Sequence, residues 1–162
     1  MDTFRAAVLT LSDKGARGER EDTAGAAIRQ LLAGAGGEVL RYEIIPDDRP
    51  RVEATLRAWA DAGSLDVILT TGGTGLSPRD VTPDATAAVI DYPVPGIAEA
   101  MRAEGLRHTP MAMLSRAVCG VRGRTLIVNL PGSERAVREN LAVVLPVLAH
   151  AVETLRGPVE HG

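Results

Sequence analysis

A three-layer α/β fold, in which a mostly parallel sheet carries helices on both faces of a single domain over residues 1–162, is predicted by three features of the sequence. Short apolar runs of strand length alternate with segments whose apolar residues recur at helical spacing. The connections between them are short and rich in Gly, Pro, Asp and Ser. The chain's 162 residues suffice for one domain that buries most of its surface without a staple. Such alternation is built by right-handed crossovers between parallel strands.

The first strand is predicted over Ala6–Ser12, an apolar run that ends in Asp13-Lys14-Gly15. Asp22 and Thr23 can cap a helix over Ala24–Ala33, with Ile28, Leu31 and Leu32 on one face and Gly34, Gly36 and Gly37 to stop it. Glu38–Ile45 reads as the second strand, closed by Pro46-Asp47-Asp48, and Arg49–Ala62 as a helix that repeats Val52, Leu56 and Trp59. Asp66–Thr71 is the third strand. A helix over Pro83–Ile90 follows, with Thr82 as its N-cap and Pro83 at its first position, and Gly96–Leu106 is another helix. Met111–Val118 is compatible with helix or loop. Thr125–Leu130 is a buried strand, and Ser133–Leu155 a long helix interrupted or bent at Pro146.

Composition excludes several classes of function. The net charge is −3, and the 18 Lys+Arg are spread along the chain rather than gathered into a block, which argues against a nucleic-acid partner. Aromatic residues make up 2% of the chain, too few for a base-stacking platform. The one cysteine, Cys119, allows neither an internal disulfide nor a Cys-based metal cluster and reads as a small buried residue. No stretch approaches the ~18 apolar residues of a membrane span, and the N-terminus lacks a cleavage pattern. The expectation is a soluble, cytoplasmic protein without a membrane partner.

The unusual residues collect at three strand ends: Ser12 to Gly15, Gly72 to Asp80, and Asn129 to Ser133. In a parallel sheet these ends share one edge, so distant segments can converge on one crevice. Gly72, Gly73 and Gly75 permit positive φ and close approach of backbone N–H groups to an anion. An isolated glycine turn needs no ligand, but here polar Thr74, Ser77, Arg79 and Asp80 follow it. The run is neither a Walker loop nor a dinucleotide fingerprint. Asp47 and Asp80 each stand just beyond a strand, whereas Asp22, Asp48 and Asp84 read as turn formers or caps. Carboxylates beside a phosphate cradle would repel the phosphate unless a Mg2+ ion bridges them. Arg79 suits either the charge on a transferring phosphorus or an ion pair with a neighbouring acid. Ser133 reads as the cap of the last helix; His108 and His150 lack a triad context, as do Ser12, Ser77 and Ser115.

Six ordered segments carry a family resemblance: LTLSDKG near the start, PDD at 46–48, TTGGTGLSPRDVTPDAT at 70–86, PGIAEAMR at 95–102, AMLSRA at 112–117 and IVNLPGS at 127–133. Together they resemble the molybdenum-cofactor biosynthesis proteins of the MogA/MoaB type, the molybdopterin adenylyltransferases, whose Rossmann-like fold is also that of the G domains of gephyrin and its plant counterpart. The resemblance covers nearly the whole chain. The absence of an insertion before the C-terminal helix and the Leu76-Ser77-Pro78 sequence are closer to the compact MoaB-like form or to the plant G-domain form.

The resemblance implies transfer of AMP from Mg-ATP to the terminal phosphate of molybdopterin, with release of pyrophosphate. By motif match, Asp47 and Asp80 are the critical carboxylates and magnesium ligands. Ser115 maps to a position that handles the pterin product. Thr71, Gly72, Gly73, Thr74 and Gly75 map to the nucleotide and pterin-phosphate cradle, with Ser12, Asp13, Asn129, Pro131, Gly132 and Ser133 as further lining. The resemblance also implies a homotrimer or hexamer, and handover of the product to a molybdenum-insertion protein. Two alternatives stay open at this point. One is a non-catalytic molybdopterin carrier of the MoaB type; the other is a related domain acting on a different nucleotide or pyrophosphate.

Overall fold

A computed structural model describes residues 3–157. Strands β1 (Phe4–Leu11), β2 (Gly37–Ile45), β3 (Val67–Thr71), β4 (Tyr92–Pro93), β5 (Cys119–Arg122) and β6 (Thr125–Leu130) form one six-stranded sheet in the order β2-β1-β3-β6-β5-β4. The four strands from β2 to β6 are parallel, while β5 runs antiparallel to β6 and to β4. Helix α1 (Asp13–Ala16) is a single turn after β1; α2 (Thr23–Gly34), α3 (Arg49–Asp61), α4 (Thr82–Val89), α5 (Pro95–Leu106) and α6 (Glu134–Arg156) complete the fold.

Strand alternation sends side chains to two cores. Ala6, Val8, Val67, Leu69, Leu126 and Val128 pack with α2, α5 and α6 on one face. Ala7, Leu9, Leu11, Ile68 and Ile127 pack with Val52, Leu56 and Trp59 of α3 and Ala85 and Val89 of α4 on the other. The three layers expected from the alternation are present. Cys119 is buried, and burial pushes its thiol pKa up to about 12.

Two local expectations are corrected, and one left open is resolved. Met111–Val118 becomes a 3-10 turn over Pro110–Leu114 followed by the lead into β5, a strand the sequence reading passes over. Gly120 of that strand lies where a Cβ would meet the carbonyl of Tyr92, so glycine there permits close strand approach. Arg122 pairs with Thr125 across a two-residue turn containing Gly123 at φ +62°, which makes β5 and β6 a hairpin. Thr82 is not the cap of α4: Val81 holds that place without a side-chain bond, and the buried Thr82 hydroxyl donates instead to the carbonyl of Gly72 at 2.9 Å. Pro146 does not interrupt α6, which runs unbroken for 23 residues. Both Pro146 and Ala142, whose carbonyl loses its helical donor, lie on the exposed side, where water can satisfy it.

At the sheet end away from the loops of interest, Asp66 ties α6 to the strands. It accepts from the Arg5 amide at 2.8 Å and from Arg156 at 2.7 and 3.3 Å. Burial alone would raise its pKa, but the bonds from Arg156 and the Arg5 amide outweigh burial and hold the carboxyl below its usual value. A depressed folded-state pKa stabilises the fold above the unfolded value of about 3.9, and that contribution is lost as pH falls through the folded value. Asp66→Asn is therefore expected to lower the melting temperature at neutral pH, with the gap from wild type closing below about pH 3.9. Melting curves across pH check this; a gap that stays constant into acid would contradict it.

Candidate active site

The carboxyl ends of β1, β2, β3 and β6 meet at one edge, as parallel topology requires. Their loops are laced by backbone contacts. The Gly72 amide donates to Leu130 O at 3.2 Å, the Thr71 hydroxyl donates to Pro131 O at 2.6 Å, and a Cβ on Gly132 would lie 3.4 Å from Gly72 Cα. Gly72 and Gly73 have φ of +98° and +67°. A Cβ on Gly72 would stand 2.5 Å from the carbonyl of Leu11, and one on Gly73 would strike the Thr82 hydroxyl, so this close weave requires glycine.

A hollow of about 370 Å³ opens over these strand ends. Asp47, Asp80, Ser12, Thr71, Gly72, Gly73, Gly132 and Ser133 line it together, so both acids singled out in the sequence face one space. Asp47 and Asp13 clasp each other: the Asp13 amide donates to Asp47 Oδ2 at 3.2 Å, and the Asp47 amide to Asp13 Oδ1 at 3.0 Å. Asp47 Oδ1 is buried without a hydrogen-bond partner beside Gly73. Burial raises the Asp47 pKa, with the Asp13 and Asp80 charges adding to it against the Asp13 amide and Arg79. Asp80 Oδ2 accepts from the Ser77 amide at 3.0 Å.

Arg79 forms a two-pronged pair with Asp13, at 3.1 and 2.8 Å, and this bond draws the Asp13 pKa down. The ion pair is formed, though with Asp13 far back in the sequence rather than with the acid beside Arg79. Ser12 and Ser133 cap α1 and α6, accepting from the amides of Gly15 at 3.0 Å and Ala136 at 3.2 Å. Asp84, read as a turn former or cap, is not the cap of α4: it lies in the first turn of that helix and pairs with Arg116.

The other predicted residues are placed differently. Thr74, Gly75, Ser115 and Pro131 line a second hollow of about 260 Å³, on the far side of the glycine loop, with Met101, Arg102, Met111 and Leu114. Arg102 donates to Ala117 O at 3.0 Å and so holds the segment carrying Ser115. Asn129 is fully buried and does not line either hollow. Its amide donates to the hydroxyls of Thr70 at 3.0 Å and Thr86 at 2.9 Å, and its oxygen accepts from the Val118 amide at 3.0 Å. Sequence reasoning missed the far wall of the first hollow, Thr10 and Arg20 to Ala24. There Asp22 caps α2 and also accepts from the hydroxyls of Thr10 and Tyr42. The signal was present, since Asp22 is the N-cap facing the same edge, but a cap is ordinarily only that.

A family profile described as a "probable molybdopterin binding domain" matches residues 7–150. The chain belongs to that family. Within it, the chain is 39% identical over 159 residues to the molybdopterin adenylyltransferase of Helicobacter pylori strain J99, spanning 97% of this chain and 90% of that protein. It is 41% identical over 157 residues to the molybdenum cofactor synthesis protein cinnamon of Drosophila melanogaster, but spans only 26% of that protein. Among solved structures, the molybdopterin biosynthesis enzyme MoaB of Thermus thermophilus superposes with a TM-score of 0.90 at 59% identity, covering 96% of this chain and 98% of that one. Among the described residues of this family member, no helix is long and apolar enough to cross a membrane.

Proposed function

We propose that this chain is a molybdopterin adenylyltransferase: it transfers AMP from ATP to the terminal phosphate of molybdopterin and releases pyrophosphate. The observation that carries the reading is the convergence of Asp47, Asp80 and the two positive-φ glycines on one hollow, in a chain that aligns along nearly its whole length with an enzyme of that name.

The two hollows suit two substrates. The first, polar and lined by glycine backbone and two acids, suits the triphosphate. The second, more apolar and carrying Ser115, suits the pterin. The Thr74-Gly75 and Pro131-Gly132 backbone between them is where the pterin's phosphate would approach. In the transfer, a phosphate oxygen of the pterin bonds to the α-phosphorus as the bond from that phosphorus to the bridging oxygen of the β-phosphate breaks. The electron pair leaves on pyrophosphate. The attacking oxygen is already ionised at neutral pH, so no strong base is needed, and alignment and charge neutralisation supply the acceleration.

A Mg2+ ion fits the donor set. Asp47 offers an unsatisfied buried oxygen, and Asp80 lines the same hollow. Mg2+ ordinarily uses one or two carboxylates plus substrate phosphates, and these two acids suit that demand. Bound there, the ion would neutralise charge on the triphosphate. The clasp with Asp13, itself held by Arg79, keeps Asp47 in place to receive it. Further parts of the proposal are a homotrimer, or a hexamer built from trimers, and delivery of the product to a molybdenum-insertion protein.

The expected result is adenylylated pterin with one pyrophosphate per product when the purified protein is incubated with molybdopterin and Mg-ATP. Tight pterin binding without pyrophosphate release would replace the enzyme by a carrier, and absence of both would remove the reading.

A further inference from the structure

We propose that Arg116 is a positioning residue for Asp80, acting by bracketing the loop that carries that carboxylate between the two hollows. The role in turnover rests on the adenylyl-transfer reading above; the bracket itself does not.

The excursion from Thr74 to Asp80 is gripped at both ends by this one residue. The Arg116 amide donates to Thr74 O at 2.8 Å, Nε to Gly75 O at 2.9 Å and Nη2 to Asp80 O at 2.8 Å. The guanidinium is anchored in turn on α4, where Asp84 accepts at 3.2 and 3.1 Å. Within the excursion, the turn is closed by its own bonds: the Asp80 amide donates to Ser77 O at 2.8 Å, the Ser77 amide to Asp80 Oδ2 at 3.0 Å and the Arg79 amide to Ser77 Oγ at 3.3 Å. These internal bonds shape the turn without locating it over the first hollow. Two contacts supply the location: Arg79 pairs with Asp13 just past the end of β1 at 3.1 and 2.8 Å, and Arg116 ties both ends of the excursion to α4.

Such a grip requires arginine. A planar fork can donate towards two carbonyls and a carboxylate at once, whereas an ammonium is a point donor on a flexible stem. Arg116 also follows Ser115 directly, so the segment that lines the second hollow is tied to the acid that lines the first. A displacement of Asp80 by about 1 Å is enough to cost about a hundredfold in rate.

The test compares Arg116→Gln, Arg116→Lys and the milder Asp84→Asn, each alone and with Asp80→Asn. Readouts are steady-state pyrophosphate release and hydrogen exchange at the Ser77 and Asp80 amides. Arg116→Gln is expected to lower kcat by about a hundredfold with a smaller change in the KM for Mg-ATP. Lysine is expected not to rescue, and Asp84→Asn to act in the same direction more weakly. In the Asp80→Asn background, Arg116→Gln should cost less than about twofold further, because the groups act as one unit. Both amides should exchange faster in the Arg116 variants while α6 stays protected. Losses that multiply in the double variant, or a kcat within about threefold of wild type, would overturn the proposal. If the wild-type protein releases no pyrophosphate, the adenylyl-transfer reading fails. The exchange measurement then decides the bracket alone: faster exchange upholds it, and unchanged exchange removes it.

Discussion

Replacing Asp47 with asparagine is expected to cut ATP-dependent pyrophosphate release by about 10²–10³-fold, the scale of losing one preorganised charged contact at a reacting centre, while the variant melts no lower than wild type. The two halves of this expectation share one cause. Burial raises the Asp47 pKa in the fold, which means the ionised form is the less favoured one there. An acid whose folded value lies above its unfolded value of about 3.9 destabilises the fold once pH exceeds the folded value. Asparagine removes that cost and its oxygen can still accept from the Asp13 amide, which Asp47 Oδ2 does at 3.2 Å. Its NH2 group would replace an oxygen that has no hydrogen-bond partner. Turnover and thermal melting on the same preparation check the pair of outcomes. A variant that keeps wild-type turnover would dismiss Asp47 from the chemistry; one that melts well below wild type would mean that the clasp with Asp13 dominates its energetics.

Gly72→Ala is expected to lose both stability and turnover. At φ +98° the added methyl group meets strain whatever space surrounds it, and the space is filled by the Leu11 carbonyl, a backbone atom at the end of β1 that has no rotamer to escape into. Strain of this kind costs about 1–3 kcal/mol before the clash is added; at about 2–4 kcal/mol in all, the melting temperature of a chain this size falls by about 5–15 °C. The same contact holds the first and third strand ends together, so the hollow distorts as the fold weakens. Gly34→Ala is the matched control. Gly34 closes α2 with nothing within 4 Å of an added methyl group, and alanine there should be neutral or stabilising by about 0.5–1 kcal/mol. Equal melting temperatures for the two variants would refute the close-approach account of Gly72.

Much of this architecture was legible because its signals are local. Strands such as Val67–Thr71 and Thr125–Leu130 are mostly apolar and buried on both faces, as befits strands between two helical layers. Asp22, Asp48 and Ser133 cap the helices that their positions announce. What stayed hidden depends on partners far along the chain. Cys119–Arg122 is four residues long and becomes a strand only through its hairpin with β6. Thr82 had the composition of a cap, yet a carbonyl ten positions earlier competes for its hydroxyl and wins. Asn129 stood among loop residues, but its register in β6 turns it inward to join Thr70 and Thr86. The sequence motifs named Asp47, Asp80 and Ser115 together; the glycine loop separates them, with the acids on one side and the serine on the other. Arg116 escaped notice because its bonds reach 32 to 42 positions back.

The two-residue strand β4 closes one border of the sheet with Pro93, which offers no N–H to a newcomer, and β2 closes the opposite border with Glu38, Arg41 and Glu43. Borders this brief or this charged are poor templates for strand addition. Copies of the chain crowded together thus find little at these borders on which to stack as fibril-like strands.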